Sequence, residues 1–316
     1  MTRYRLALTA GFAIAWIGAA AAAPFAYITN QASHDVSVID LAQQRVVATI
    51  PVGRSPAGVV VSEQAGKAFV SNPDSKSVSV IDLASRRVID TIDGGSGPVG
   101  IDAAPDGKRL YVADWYANAL LVIDAATHRR IASVPVGIAP AGVAVAPDNA
   151  LIYVANRDDD AIGIVDAVAL RQVATVAAGS HPFAVGLTPD GSKLFALNVL
   201  SNDVSVIDTR TRQRLATIGV GNSPYGVAFS ADGRRAWVTN QHAETVSVID
   251  VATLRVVHTV AGGAYPEGIA VAGQRVVVVS WMDDCVHLLD ADSGKRLATI
   301  DTGRNPRGFG HFISAQ

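Results

Sequence analysis

The 316-residue chain contains one cysteine, Cys285, so it closes no disulfide within itself. Paired-cysteine zinc motifs and the CxxCH haem attachment are absent for the same reason. Charge is scarce as well. Asp, Glu, Lys and Arg make up 17% of residues and the formal net charge is −2, which removes any general attraction to nucleic acid or anionic lipid. No nucleophile elbow, phosphate loop, zinc helix or dinucleotide fingerprint occurs. Gly-rich pieces such as DGGSGPVG (93–100) belong to a repeated turn and are not phosphate cradles. Cys285 stands before the apolar run VHLLD and reads as a small core residue.

Long apolar runs are missing too, apart from one near the start. Arg3 and Arg5 precede an apolar stretch from Leu6 to Gly18, which the small residues Ala20–Ala23 follow. That stretch is too short to span a bilayer comfortably and has the layout of an export signal. The reading is a signal peptide over 1–23, cut after Ala22 or Ala23, and one domain over 24–316. The mature protein is then expected in the periplasm or outside the cell, without a membrane span. Its hydrophobic content of 49% supports a large buried core.

The chain is otherwise a set of copies. A hydrophobic opening recurs at Tyr27 (YITN), Phe69 (FVSN), Tyr111 (YVAD), Tyr153 (YVAN), Phe195 (FALN), Trp237 (WVTN) and Val278 (VVSW). Asp40, Asp82, Asp124, Asp166, Asp208, Asp250 and Asp290 end a second motif, and Pro56, Pro98, Pro140, Pro182, Pro224, Pro266 and Pro306 mark a third. Each unit of about 42 residues holds four short runs rich in Val, Ile and Tyr, separated by turn residues such as Asp106-Gly107 and Asp190-Gly191. Four strands in that length make one propeller blade. The first unit lacks an inner strand, whereas the last segment, PRGFGHFI (306–313), resembles an inner strand without a blade. The termini together therefore complete the seventh blade. An all-β, seven-bladed propeller with four-stranded blades follows, expected to be a monomer.

The unit resembles the YVTN β-propeller repeat, with WVTN at 237–240, VSVID at 36–40, 78–82, 204–208 and 246–250, and GNSPYG at 221–226. The resemblance runs from Tyr27 to Ile313, and the plan of a leader plus one bare propeller is similar to YncE-type periplasmic proteins. It implies the fold and says little about activity. Relatives include surface-layer and periplasmic accessory proteins, and more distant propellers are cofactor-bearing enzymes.

Residues present in every copy serve the blade. The SVID aspartates are expected to accept backbone N–H groups in the next hairpin, and the run Asp158, Asp159, Asp160 is expected to be solvated. Function is expected where the copies differ. The GxxPxG segments and the loops after YVTN share one rim, while the PDG turns and post-SVID hairpins share the other and vary little. Beside the prolines stand His181, Phe183, Tyr225, Tyr265, Glu267 and Arg307, with Arg54 and Arg304 close by. The second loop set adds Trp115, Tyr116, Arg157, His242, Trp281 and Met282. These residues are expected around the channel mouth. They suit a planar or anionic organic ligand, and equally a protein partner, since Tyr, Trp and Arg dominate interface hot spots.

Two channel-wall positions are unlike their equivalents. Asp102 is the only charge in its ring and His311 the only imidazole in the next. They form a candidate acid/base or metal pair, against the plainer reading of a hydrated Asp102 and a His311 that helps close the ring. The leading reading is a rigid binding scaffold with no cofactor or metal. The enzyme or cofactor alternative (a lyase, a lactonase-like hydrolase or a tetrapyrrole carrier) would use His181, Glu267, His311, Asp102 and Arg307. A further alternative is single-stranded nucleic acid stacked along Arg54, Arg157, Arg304 and Arg307.

Overall fold

A computed structural model describes residues 24–314 as 28 strands in seven four-stranded antiparallel sheets. The leader proposed for 1–23 lies outside the described residues. Blade 4 is typical, with strands Pro140–Val145, Leu151–Asn156, Ala161–Asp166 and Arg171–Ala177, from the axis outward. Its second and third strands are buried on both faces because neighbouring blades cover them, so they are continuously apolar and do not alternate. The outer strand faces water and is mostly exposed or half-buried. Blades 2 to 7 follow in chain order over 59–93, 98–135, 140–177, 182–219, 224–261 and 266–301. Blade 1 takes three strands from 25–51 and its fourth from the C-terminus. Among the described residues no helix is long and apolar enough to cross a membrane.

Repeated polar residues fasten the blades together. The SVID carboxylates cap the hairpins that follow, as expected. Asp124 Oδ1 accepts from the backbone N–H of Ala126 at 3.0 Å and Thr127 at 2.7 Å, and the bonds from Thr127 hold its carboxyl below the ordinary value. A basic residue opening the second strand reaches the next blade. Lys67 Nζ donates to Ala125 O at 2.9 Å and Arg235 Nη1 to Ala291 O at 3.1 Å, and Arg109 and Arg275 bond Ala167 O and Leu41 O. Around the axis, Thr29, Ser71 and Thr239 donate to the carbonyls of Ala57, Val99 and Glu267 in the following blade. Inner strands approach so closely that a Cβ on Gly100 would lie 1.9 Å from Ala141 O.

The closure is less regular than the terminal match implies. Only Ile313–Ser314 form a ladder with blade 1, against Ala26 and Phe25. Residues 307–312 leave that register and join three blades. Arg307 O accepts from Gly268 N of blade 7, and Arg307 N donates to Thr29 O of blade 1. Phe309 O and His311 O accept from Val59 N and Val61 N of blade 2 at 2.9 and 2.7 Å. Gly308 and Gly310, at φ 59° and 125°, permit the detour. Phe312 anchors it, fully buried against the first core cluster with Tyr27 and Ile28. Replacing Phe312 with Ala is expected to lower the unfolding free energy by about 3–5 kcal/mol in denaturant titrations. A loss below about 1 kcal/mol would show that the terminal segment does not carry the closure.

Candidate functional site

The rim predicted to be variable is closed over the axis by aromatic rings. The Phe183 ring centroid lies 4.6 Å from that of Tyr225 and 5.2 Å from that of Phe309, with Trp115 at 6.3 Å. These side chains come from blades 5, 6, 1 and 3, so they meet across the channel rather than along its edge. Phe309 reaches the layer because the glycines on either side of it turn the terminal segment out of its blade. Beside the rings, Arg307 Nε donates to Glu267 Oε2 at 2.7 Å and Arg307 Nη2 bonds the Tyr225 hydroxyl. Gln241 Nε2 donates to Glu267 Oε1 at 2.8 Å.

Burial pushes the Glu267 carboxyl above the usual carboxylate range, with the Arg307 guanidinium opposing that rise. Burial also raises the Tyr225 phenol. For Arg307 burial acts to lower the value, but attraction to Glu267 and Tyr225 outweighs it and the guanidinium keeps its proton. Phe183, Tyr225, Glu267 and Arg307 are thus not free groups around an open mouth. They form a floor, with their polar atoms already satisfied by one another.

Other predicted rim residues lie on or around this floor. His242 Nδ1 is 2.5 Å from Ser223 Oγ, and its ring meets Tyr265 edge-on at 5.2 Å. Tyr265 continues to Trp281 at 6.2 Å, whose indole N–H donates to Gln31 Oε1 at 3.3 Å. The Arg157 guanidinium lies over Trp115 at 5.6 Å and bonds Asp158 at 2.6 Å. Arg54 Nη2 turns back to Asp74 O at 3.0 Å and Arg304 Nη2 to Ala32 O at 3.4 Å. The arginines proposed for nucleic acid are therefore engaged within the protein. His181 sits between Asp158 and Asp160 at 3.9 and 3.7 Å. The three aspartates are not merely solvated. Asp159 accepts from Ile138 N at 2.8 Å and Asp160 from His181 N at 2.7 Å.

Exposed apolar side chains stand among the exposed charges of this rim, such as Arg54, Asp158 and Arg304. Tyr116 is 76% exposed, and Ile138, Leu200 and Met282 are exposed as well. Ile138 and Leu200 escape a reading of the sequence that follows only aromatics and charges. Phe309 left a clearer signal: it stands three residues after its Pro, where the other blades carry Val or Ile.

Below the floor lies a cavity of about 490 Å³, lined by the inner strands and reaching Pro105, Pro147 and Pro189 at the opposite rim. A neighbouring space of about 290 Å³ shares Asp102, Val145 and His311 with it. Asp102 is buried rather than hydrated, and accepts from Val145 N at 2.8 Å and Ala103 N at 2.9 Å. His311 Nδ1 is 3.2 Å from Asp102 Oδ1, and its side chain, 76% exposed, faces the lumen. The two residues singled out by the ring comparison thus contact each other, and the second ring nitrogen of His311 is left for solvent or a ligand. The four catalytic candidates do not converge. His181 and Glu267 belong to the closed rim, while Asp102 and His311 belong to the cavity beneath it.

The sequence matches the YNCE-like beta-propeller family over residues 62–151 and 144–236, more than half of the chain. The chain belongs to that family. No curated protein matches this YncE-like propeller. Among solved structures it is similar to hydrazine synthase from Kuenenia stuttgartiensis, at TM-score 0.77 and 22% identity over 84% of this chain and 92% of that one. A functionally unknown protein from Desulfotomaculum acetoxidans DSM 771 gives TM-score 0.75 and 16% identity over 90% and 99% of the two chains. The dihydro-heme d1 dehydrogenase NirN in complex with DHE gives 0.69 and 14%, over 92% and 75%. At these identities the likeness concerns the fold alone.

The Asp102 charge, followed by its hydrogen bond, raises the pKa of His311. A raised value means that the protonated pair adds stability in full below the unfolded value of about 6.5, and that this is lost as pH rises through the folded value. His287 acts with the opposite sign, because burial lowers its pKa. It is common to wild type and variant, and so cancels in a difference. His311→Gln is therefore expected to cost more stability at about pH 6 than at about pH 9 in urea unfolding. An equal cost at both would contradict the pairing.

Proposed function

We propose that this propeller is a rigid scaffold that docks a protein partner on the rim bearing the GxxPxG and post-YVTN loops. The observation that carries the reading is the aromatic floor with exposed apolar side chains around it. The packed rings occupy the channel mouth, while Tyr116, Ile138, Leu200 and Met282 present apolar surface on the same rim as the Trp281–Tyr265–His242 strip. Exposed apolar groups rimmed by polar ones suit a protein interface, where aromatic anchors supply most of the affinity. The internally paired arginines weigh against a nucleic-acid strand as the occupant. The leader read over residues 1–23 would place the scaffold outside the cytoplasm, in the periplasm of a two-membrane cell.

A second reading rests on the cavity beneath the floor. Its volume is in the range of small-molecule sites, its wall is largely apolar, and the imidazole of His311 faces into it. A small organic anion with an apolar body would fit that combination. In the fold relative NirN, a propeller-containing structure was solved with DHE bound, so a ligand is compatible with the architecture.

Photo-crosslinking residues introduced at Tyr116, Leu200 and Met282, and at Val168 on the opposite rim, separate the readings in the native host. The rim reading expects one protein adduct of the same mass from the first three positions and none from Val168. Tyr116→Ala or Met282→Ala should then weaken association by about tenfold or more without changing thermal stability. Adducts from Val168 alone, or none from any position, would overturn it. A small extra mass in native mass spectrometry, lost in His311→Ala, would support the cavity reading instead.

A further inference from the structure

We propose that Asp283, Cys285 and His287 in blade 7 bind one divalent transition-metal ion of the zinc class. The same four positions in each blade, at the end of its second strand and the start of its third, form a small polar nest. Blade 1 uses Asn30, Ser33, Asp35 and Ser37, with Asn30 Nδ2 donating to Asp35 at 2.6 Å and Ser37 at 2.9 Å. Blades 2 and 5 fill the nest with Asn and hydroxyl or carboxylate side chains, blade 6 does so apart from Ala243, and blades 3 and 4 carry Asp or Asn beside Ala, Leu or Gly. Blade 7 alone carries Ser280, Asp283, Cys285 and His287. At these positions blade 7 replaces the hydroxyl and carboxylate groups of the other nests by three different metal-ligating groups.

The donor atoms are already close. Sγ of Cys285 lies 3.7 Å from Nε2 of His287, and Nε2 lies 3.6 Å from Oδ2 of Asp283, with all the donors within 4.8 Å of one another. Bonds of the length zinc makes to sulfur, nitrogen and oxygen place adjacent tetrahedral donors about 3.3–3.6 Å apart. Two of the three separations are already near that spacing, and rotation of the Asp283 and Cys285 side chains brings the remaining pair, within 4.8 Å, onto the same ion. The supporting contacts are in place as well. Nδ1 of His287 is 3.0 Å from Thr299 Oγ1, which fixes the ring and presents Nε2, as outer contacts do in metal sites. Oδ2 of Asp283 also accepts from Ala264 N at 2.9 Å and Ser280 Oγ at 3.0 Å, which orients the carboxylate.

Thiolate, imidazole and carboxylate together select zinc, cobalt, nickel or copper over magnesium and calcium. Cys285 and His287 are buried and Asp283 is exposed, so an ion enters past Asp283 and solvent takes the fourth position. On coordination the Cys285 thiol releases its proton to solvent. The ion would also stiffen the turn that carries Trp281 and Met282, although the site itself does not depend on the docking proposal.

The test is titration of the full chain, prepared without a histidine tag and stripped with chelator, using Co²⁺ followed by absorbance and Zn²⁺ followed by calorimetry. The expected result is one equivalent bound, with a thiolate-to-cobalt charge-transfer band that Cys285→Ser abolishes. Asp283→Asn, a nearly isosteric change at an exposed residue, should retain the band and weaken Zn²⁺ binding by about tenfold or more. It keeps the proposal testable if the cysteine variant fails to fold. No stoichiometric binding by the wild type, a cobalt spectrum without the thiolate band, or affinity unchanged in Asp283→Asn would each overturn it.

Discussion

The buried pair between Arg307 and Glu267 is the contact on which the asymmetry of this propeller depends. A guanidinium and a carboxylate removed from water are costly unless every donor and acceptor finds a partner. Here the carboxylate accepts from Arg307 and Gln241, and the guanidinium also holds the Tyr225 hydroxyl. That arrangement fixes Tyr225 against Phe183 and Phe309 and so closes one end of the channel. Without it the floor would have no polar anchor, and Phe309 would have less reason to leave its blade.

The two ends of the ring consequently present different chemistry. Above the floor is a surface of exposed apolar side chains and internally paired charges. Below it is a cavity whose one ionic pair, Asp102 with His311, faces the lumen. The terminal segment 307–312 serves both, since Arg307 and Phe309 build the floor while His311 enters the cavity. The same few residues also clasp blades 7, 1 and 2 through backbone bonds. Ring closure and functional asymmetry are therefore one structural device rather than two.

The blades themselves were legible in the sequence because a repeat reports its own phase. Seven copies of the Pro, Asp and aromatic markers set the strands, and alignment on the prolines singles out Asp102 and His311 in adjacent rings of the channel wall. Individual side chains at the rim were harder to place. The repeat predicts a regular inner strand for 306–313, but Gly308 and Gly310 let the chain follow left-handed and extended positive-φ conformations that no other copy uses. Tyr225 and Glu267 look like exposed binding groups in the repeat, and are buried because Phe309 and Arg307 reach them from a distant point in the chain. Cys285 read as a core residue when taken alone. Its meaning changes only beside His287 and Asp283, two residues away on either side and on the same edge of blade 7.

A double-mutant cycle on Arg307 and Glu267, read by denaturant unfolding, tests the role of the buried pair most directly. Arg307→Met and Glu267→Met alone should each cost about 3–5 kcal/mol, because each leaves the other charge buried and unpaired. The double variant should cost far less than the sum of the two. Losses that add to within about 0.5 kcal/mol would show that the two groups are energetically independent. The closed floor would then have to be held by the aromatic rings alone.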